Sequence, residues 1–413
     1  MTRPALLSLD EALPQLLAQA HALTARQSVS TFDADGRVLA QDVVSALQVP
    51  PQDNSSMDGY AVRASDCAQA EAVLRVTQRI PAGTHGTLLN TGEAARIFTG
   101  APIPPGADAV VMQEDCDALE GEQVKVRKAV PAGQWIRRSG EDVTRGATVL
   151  TQGTRLTPAE LGLAASIGLA QLQVAARPRV ALFSTGDELV MPGDVAPEAM
   201  PPGAIYNSNR FFLRAMLQRL GCEVTDLGIV PDQRDATIAA LRDAAQHHDL
   251  ILTSGGVSVG EEDHIKPAVE HLGELNLWQL AIKPGKPFAY GKVKREGQVS
   301  ACHFMGLPGN PVSSFVTFLL LVRPFVLALQ GVTHTDVVRT EMTARFDWPR
   351  ADKRREFLRI KRNPDGGLDL FPNQSSGVLT SAVWGDGVVD NPAGQTIAKG
   401  DTVRFISFAE WLA

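Results

Sequence analysis

The residues with chemistry to offer fall into five short segments, four of them between residues 184 and 314 and one around residue 55. Ser184-Thr185-Gly186-Asp187-Glu188 closes an apolar run at 180–183. A glycine there permits a sharp turn, and two adjacent carboxylates at a strand's carboxyl end can hold Mg²⁺ or organise water. A solvated turn with helix-capping acids carries the same pattern. Ser254-Gly255-Gly256-Val257-Ser258-Val259-Gly260 follows the run 250–253 and leads into Glu261-Glu262-Asp263. Its glycines and hydroxyls can present successive N–H groups to a phosphate at a helix N-terminus. No Gly-Lys-Ser/Thr ends the loop, and its glycine spacing is not the dinucleotide fingerprint; a flexible turn is the alternative. Lys283-Pro284-Gly285-Lys286-Pro287 sets two ammonium groups on a stiff loop, suited to phosphate near Gly-rich turns and otherwise simply solvated. Leu307-Pro308-Gly309-Asn310-Pro311-Val312-Ser313-Ser314 is a rigid turn with a capping Asn310 and a Pro311 suited to the first helical position. Taken alone it is a helix start. Asp53-Asn54-Ser55-Ser56-Met57-Asp58-Gly59-Tyr60 is a polar loop with two acids, and its composition says nothing more.

The elements that must position these segments follow from hydrophobic periodicity. Residues 1–30 read as an amphipathic helix, with Leu9, Leu13, Leu16 and Leu17 at helical spacing and Pro14 as an interruption. Short β-branched runs separated by Gly and Pro turns predict β-rich modules over 31–150. Residues 154–176 read as helix again, with Thr157 as N-cap and Pro158 in the first helical position. Helical segments therefore flank a β-rich insertion. From 179 to 330 strands and helices alternate, and such alternation with apolar strands predicts a parallel sheet covered on both faces, ligands at the strands' carboxyl ends. Beyond that the helices stop, and a small β-barrel or sandwich is expected.

Composition sets the limits. The chain has 413 residues, too many for one ordinary core, and is 44% hydrophobic and 21% charged, which argues against wholesale disorder. Thirty-nine Lys+Arg against 46 Asp+Glu leave a net charge of −7, which argues against a chain-wide nucleic-acid footprint. The basic run 350–362 is mixed with Asp352 and Glu356 and reads as a solvated β face. Cys67, Cys116, Cys222 and Cys302 are far apart, without a CxxC pair, so reduced buried thiols are expected rather than disulfides or structural zinc. The N-terminus lacks the apolar run and cleavage site of a signal peptide, and the apolar run 315–329 is short and broken by Arg323 and Pro324. A soluble cytoplasmic protein with no membrane partner is the expectation.

In order along the chain stand 53–61 (DNSSMDGYA), 98–111 (FTGAPIPPGADAVV), 138–142 (RSGED), 183–189 (FSTGDEL), 254–263 (SGGVSVGEED), 283–287 (KPGKP) and 307–313 (LPGNPVS). With these seven segments in this order the chain resembles the molybdopterin molybdenumtransferases, the MoeA family that includes the gephyrin E domain, over about residues 5–410. The resemblance implies a multidomain α/β and β fold. Its parts would be a helical N-terminal subdomain (1–45 and 146–177), an inserted β-rich subdomain (46–145), a doubly wound α/β molybdopterin-binding domain (178–331) and a C-terminal β-barrel (332–413). It implies an elongated homodimer whose active site is shared between subunits. It implies an activity too: molybdate is inserted into adenylylated molybdopterin, with Mg²⁺-dependent release of AMP.

Residue by residue, the resemblance places Asp58, Thr99, Asp142, Glu188, Asp232 and Asp263 at polar positions of the active site; of these Asp58, Asp142, Glu188, Asp232 and Asp263 are expected in catalysis, and the acids Asp187, Glu188 and Asp263 are read as holding Mg²⁺. It matches Lys283 and Lys286 to anion-binding lysines, and with Thr99 the loop residues Ser184, Thr185, Gly186, Ser254, Gly255, Gly256, Ser258 and Gly260 are expected on substrate. Pro308, Gly309, Asn310, Pro311 and Ser313 frame the pterin side. Three positions depart from the family's habit: Ser56 for Ala, Asn207 for Asp, and His264 for Tyr. The partners implied are a molybdopterin adenylyltransferase and acceptor molybdoenzymes. The rival readings are an adenylyltransferase, which needs neither the N-terminal half nor the barrel, and a gephyrin-like scaffold.

Overall fold

The computed structural model describes residues 6–231, 233–256 and 264–412. Its first helix, Leu9–Leu17, starts on a capping box: Ser8 Oγ accepts the Glu11 N–H at 3.2 Å and the Ser8 N–H donates to the Glu11 carboxylate at 3.0 Å. Such a cap is worth about 1 kcal/mol. Leu9, Ala12 and Leu16 form the buried stripe, and they pack into the core of the α/β region beside Leu280 and Phe325. The helix expected over 1–30 is thus confined to nine residues. Arg26–Ser30 is a strand, paired antiparallel with Gln171–Ala175. The helix expected over 154–176 is likewise Pro158–Ser166, opened by Thr157 and its partner Glu160. In Gln171–Ala175 the buried residues Leu172 and Val174 alternate with the glutamines, a period of two hidden inside a helix-like neighbourhood.

Between these flanking pieces lies a six-stranded sheet, in the order Ala109–Met112, Gly59–Val62, Glu93–Ile97, Ala72–Ile80, Gln123–Val126 and Cys116–Leu119. The α/β region carries a second six-stranded sheet: Glu223–Ile229, Arg179–Ser184, Leu250–Ser254, Cys302–Leu307, Pro287–Val293 and Gly273–Gln279. The first four are parallel; Pro287–Val293 runs against them and Gly273–Gln279 against it, so the sheet is mixed where full parallel alternation was expected. The difference is a meander at the edge, which needs no crossover helix. At the C-terminal end Arg355–Arg362, Gly367–Leu370, Thr340–Ala344, Thr402–Ser407 and Gly387–Asn391 close on themselves as a five-stranded barrel. Closure removes free edges, which settles barrel against sandwich.

Among the described residues one helix, Pro311–Leu329, is long and apolar enough to cross a membrane; 89% of it is buried inside the fold. It continues past Pro324 through a π segment at Phe318–Val322, which absorbs the missing N–H. Arg323, buried within it, donates to the carbonyls of Trp411 and Thr335 at 2.8 Å each, pinning the C-terminal helix Phe408–Leu412. The four thiols form no disulfide, and burial pushes Cys67 up to about 11 and Cys222 and Cys302 up to about 12, so they stay protonated.

The barrel meets the first helix through charge. Arg355 grips the fully buried Asp390 carboxylate with two hydrogen bonds, at 2.5 and 2.6 Å, and reaches Asp10 at 2.9 Å. Arg355→Met leaves that carboxylate with Arg339 alone and should cost about 3 kcal/mol in urea unfolding, whereas Arg355→Met with Asp390→Leu should recover most of it.

Candidate active site

Strand register decides where the α/β region's segments meet. Ser184 lies opposite Ser254, and Ser254 opposite Leu307, so three of the chemical segments leave the sheet side by side at one level. Arg179–Ser184 is the first strand of the sheet in sequence; the next pairs on one side of it and the third on the other. A ligand crevice belongs at such a switch point. A cleft of about 760 Å³ lies there.

Thr185, Gly186, Glu188, Ser254, Gly255, Gly256, Pro308, Gly309, Asn310, Pro311 and Ser313 all line it. The loops are pressed together so tightly that side chains are excluded. Gly255 and Gly256 have left-handed φ of +92° and +67°. A Cβ on the first would sit 2.8 Å from the Thr185 carbonyl oxygen, and on the second 2.6 Å from Ile265. The Glu188 carboxylate folds over Gly186, 2.5 Å from where a Cβ would be. Ser184 lies just beneath, buried, and its hydroxyl has no partner among the described residues.

Two residues not singled out for the site organise it. Asn209, 8% exposed, donates from Nδ2 to Ser254 Oγ at 2.8 Å and to the Gly309 carbonyl at 2.7 Å, tying the ends of two strands to the helix Asn209–Arg219. Asn207, 2% exposed, lines the cleft, and its buried Nδ2 has no acceptor among the described residues. Their signal was the polar run Asn207-Ser208-Asn209-Arg210 at a helix start, legible only as a departure from habit. Gly377 of the barrel region also lines the cleft, and the Ser376 carbonyl accepts the Val312 N–H at 2.9 Å.

The other expected residues are elsewhere. Lys283 is held by Glu356 at 2.9 Å and Asp352 at 3.4 Å and does not line the cleft; Lys286 is exposed, next to the lining Pro287. Asp187 is exposed and off the lining. Asp232, Ser258, Gly260 and Asp263 lie outside the described residues. Asp58, Thr99 and Asp142 line no part of this cleft. They belong to a separate loop cluster that gathers the three N-terminal segments. Asp53 accepts from Arg138 at 2.6 Å and from the Ser139 N–H at 2.8 Å, and Asn54 and Ser55 pair with Arg137 and Ile136. The Ser55 N–H donates to the Ala101 carbonyl. The Thr99 N–H and hydroxyl donate to Asp58 Oδ1 at 2.8 and 2.7 Å and hold its carboxyl below the usual range. Asp142 is exposed, its N–H donating to the Val49 carbonyl.

Among the described residues no group of three or more His, Cys, Asp or Glu could cage a metal. Among the described residues that line the cleft, Glu188 is the one carboxylate. That donor set suits Mg²⁺ taking most of its ligands from water and substrate oxygens.

Residues 7–168 match the family described as MoeA N-terminal region (domain I and II), 181–328 the probable molybdopterin binding domain, and 341–408 the MoeA C-terminal region (domain IV). The chain is 42% identical over 326 residues to the molybdopterin molybdenumtransferase of Haemophilus influenzae, covering 79% of this chain and 78% of that one. To the enzyme of the same name from Synechococcus elongatus it is 37% identical, covering 96% and 98%. The solved molybdopterin biosynthesis MoeA protein of Pyrococcus horikoshii superposes with a TM-score of 0.85 at 29% identity, covering 98% of this chain and all of that one.

The loop geometry makes one prediction. Gly255→Ala meets both the left-handed backbone and Thr185, and should cost about 1–3 kcal/mol in chemical denaturation. Gly309→Ala, with nothing within 4 Å of the new Cβ, should stay within about 0.5 kcal/mol of the parent.

Proposed function

The chain belongs to the MoeA family of molybdopterin molybdenumtransferases, and from that premise we propose that its cleft takes adenylylated molybdopterin, receives molybdate beside it and releases AMP with Mg²⁺. It is an enzyme of molybdenum cofactor biosynthesis, acting by insertion of molybdenum. The observation that carries the finer reading is a cleft whose Gly255-Gly256 loop admits no side chain, beside a buried Asn207 amide with no acceptor among the described residues. A cleft built that way suits a ligand rich in acceptor oxygens approaching the backbone closely.

In this reading the Gly255-Gly256 backbone and Asn207 bind the phosphate oxygens, and Asn209 holds the three loops at the distance the ligand needs. Ser184, Thr185, Gly186, Ser254, Pro308, Gly309, Asn310, Pro311 and Ser313 shape the walls, and Ser258 and Gly260 are further substrate-binding residues. Glu188 orients the water that opens the phosphoanhydride. Glu188 and Asp263 would hold Mg²⁺, which when bound supplies charge neutralisation at that bond. An all-carboxylate site would repel molybdate, so Lys286 at the rim and the backbone N–H groups provide the attraction, with Lys283, held by Glu356 and Asp352, as a second anion-binding lysine only once the ligand displaces a carboxylate. Asp58, Thr99 and Asp142 come from the partner subunit of a homodimer and position molybdate, and Asp232 contributes from the cleft's own subunit. The protein works in the cytoplasm, taking substrate from an adenylyltransferase and passing cofactor to acceptor molybdoenzymes.

The test is AMP release from adenylylated molybdopterin with Mg²⁺, with and without molybdate, scored by reactivation of a cofactor-free molybdoenzyme. Molybdate-dependent release with reactivation is expected, and its absence from folded protein would overturn the reading in favour of the adenylyltransferase or scaffold alternatives. Glu188→Gln and Asp58→Ala should each fall about a hundredfold or more. Because a shared site needs one residue from each subunit, mixing the two inactive variants should restore about a quarter of the parent activity. No recovery on mixing, with subunit exchange shown directly, would place both residues in one subunit's site.

A further inference from the structure

At the opposite, amino-terminal end of the α/β sheet lies a second cavity, of about 830 Å³, which nothing above uses. Arg179 and Glu223 open two of its floor strands, Asp249 directly precedes a third, and His303 is the second residue of a fourth. The segment 21–25 that follows the first helix covers it, and the turn 299–301 forms a wall.

Its charge runs against that of the chain. Arg177, Arg179, Lys292 and Arg295 line it against two carboxylates, Glu223 and Asp249, in a protein of net charge −7. Asp249 is already taken, by Arg179 at 3.1 Å and Arg295 at 3.5 Å. Among the described residues Arg177 and Lys292 form no ion pair; the Lys292 ammonium donates to the Gln19 side-chain oxygen at 2.8 Å. The Arg295 side chain is 10% exposed; it donates to the His248 carbonyl at 2.5 Å and to Gln298 at 3.4 Å, and its buried Nε has no acceptor among the described residues. His303, whose Nδ1 lies 3.0 Å from the Tyr290 hydroxyl, feels the same field: burial first, then Lys292, His21 and Arg295, push it down to about 4, with Asp249 opposing. Arg177 and Lys292, lining one cavity with no carboxylate partner among the described residues, are stabilised when a multiply charged oxyanion joins them.

We propose that this cavity is a second anion site, taking a small phosphate-bearing molecule through Arg177, Lys292 and Arg295. The volume accommodates a pyrophosphate group with or without a nucleoside. Bound there, the ligand bridges the segment after the first helix to the floor of the sheet and ties the N-terminal region to the α/β region. The site is independent of the cleft's chemistry.

The experiment is histidine-ring NMR on the full chain at fixed ionic strength, titrated with inorganic pyrophosphate and, separately, with ADP. His303 and His21 resonances, assigned with His303→Gln and His21→Gln, report this cavity and not the cleft. Saturable shifts are expected with either probe, and response to ADP alone would mean the nucleoside is also recognised. Arg177→Gln with Lys292→Gln should raise the half-saturating concentration at least tenfold, about 1.4 kcal/mol. Each single variant should show part of that loss if the pair folds poorly. Lys286→Gln, at the cleft rim, should leave the shifts in place, and the paired variant should leave AMP release intact. No saturable shift by about 10 mM probe, equal shifts from chloride, or unchanged shifts in the paired variant would overturn the proposal.

Discussion

The backbone ladder joining Arg179–Ser184, Leu250–Ser254 and Cys302–Leu307 is the constraint from which the cleft follows. Parallel pairing fixes which residues stand side by side, and here it brings Ser184, Ser254 and Leu307 to one level. A slip of one residue in any of these strands would turn every side chain to the other face and move its loop out of line. Because the loops emerge together, they crowd, and the crowding explains why Gly255 and Gly256 stand where a Cβ would strike Thr185 or Ile265. Asn209 then fastens from the side what the ladder aligns from below.

Charge is arranged with similar economy. The chain is acidic as a whole, yet its interior acids are nearly all spoken for: Glu356 by Lys283, Trp348 and Asn391, Asp390 by Arg355 and Arg339, Asp249 by Arg179 and Arg295. A buried carboxylate without such partners would be costly. The pairing has a functional side. Lys283, half-exposed between Glu356 and Asp352, is oriented by the barrel region, so the barrel takes part in shaping the cleft's surroundings as well as closing one wall through Gly377.

How legible this was depends on the range of each interaction. Thr157-Pro158 and Asn310-Pro311 announced helix starts because capping involves residues three or four apart, and both helices begin there. Arg26–Ser30 and Gln171–Ala175 were read as helix because each is short, and what makes them strands is each other, 141 to 149 residues away across their paired register. The antiparallel edge formed by Gly273–Gln279 and Pro287–Val293 was hidden for the same reason: local pattern does not state strand direction. The composition of its loop said nothing about Asp58, and no local pattern announced its contact with Thr99, 41 residues on, whose N–H and hydroxyl it accepts.

By itself, the sequence determined the order of seven motifs and the family they identify, the apolar strands of the α/β region, the caps and turns, and the carboxylates and glycines available for chemistry. These depend on bonds and sterics within a few residues. Tertiary structure decided which of those groups share a cleft, that Lys283 faces Glu356 and Asp352, that Asn207 carries an unmet donor, and that four cations gather at the far end of the sheet. Burial and pairing join residues such as Asn209 and Gly309, 100 positions apart, and only the folded chain sets the desolvation that makes such contacts count.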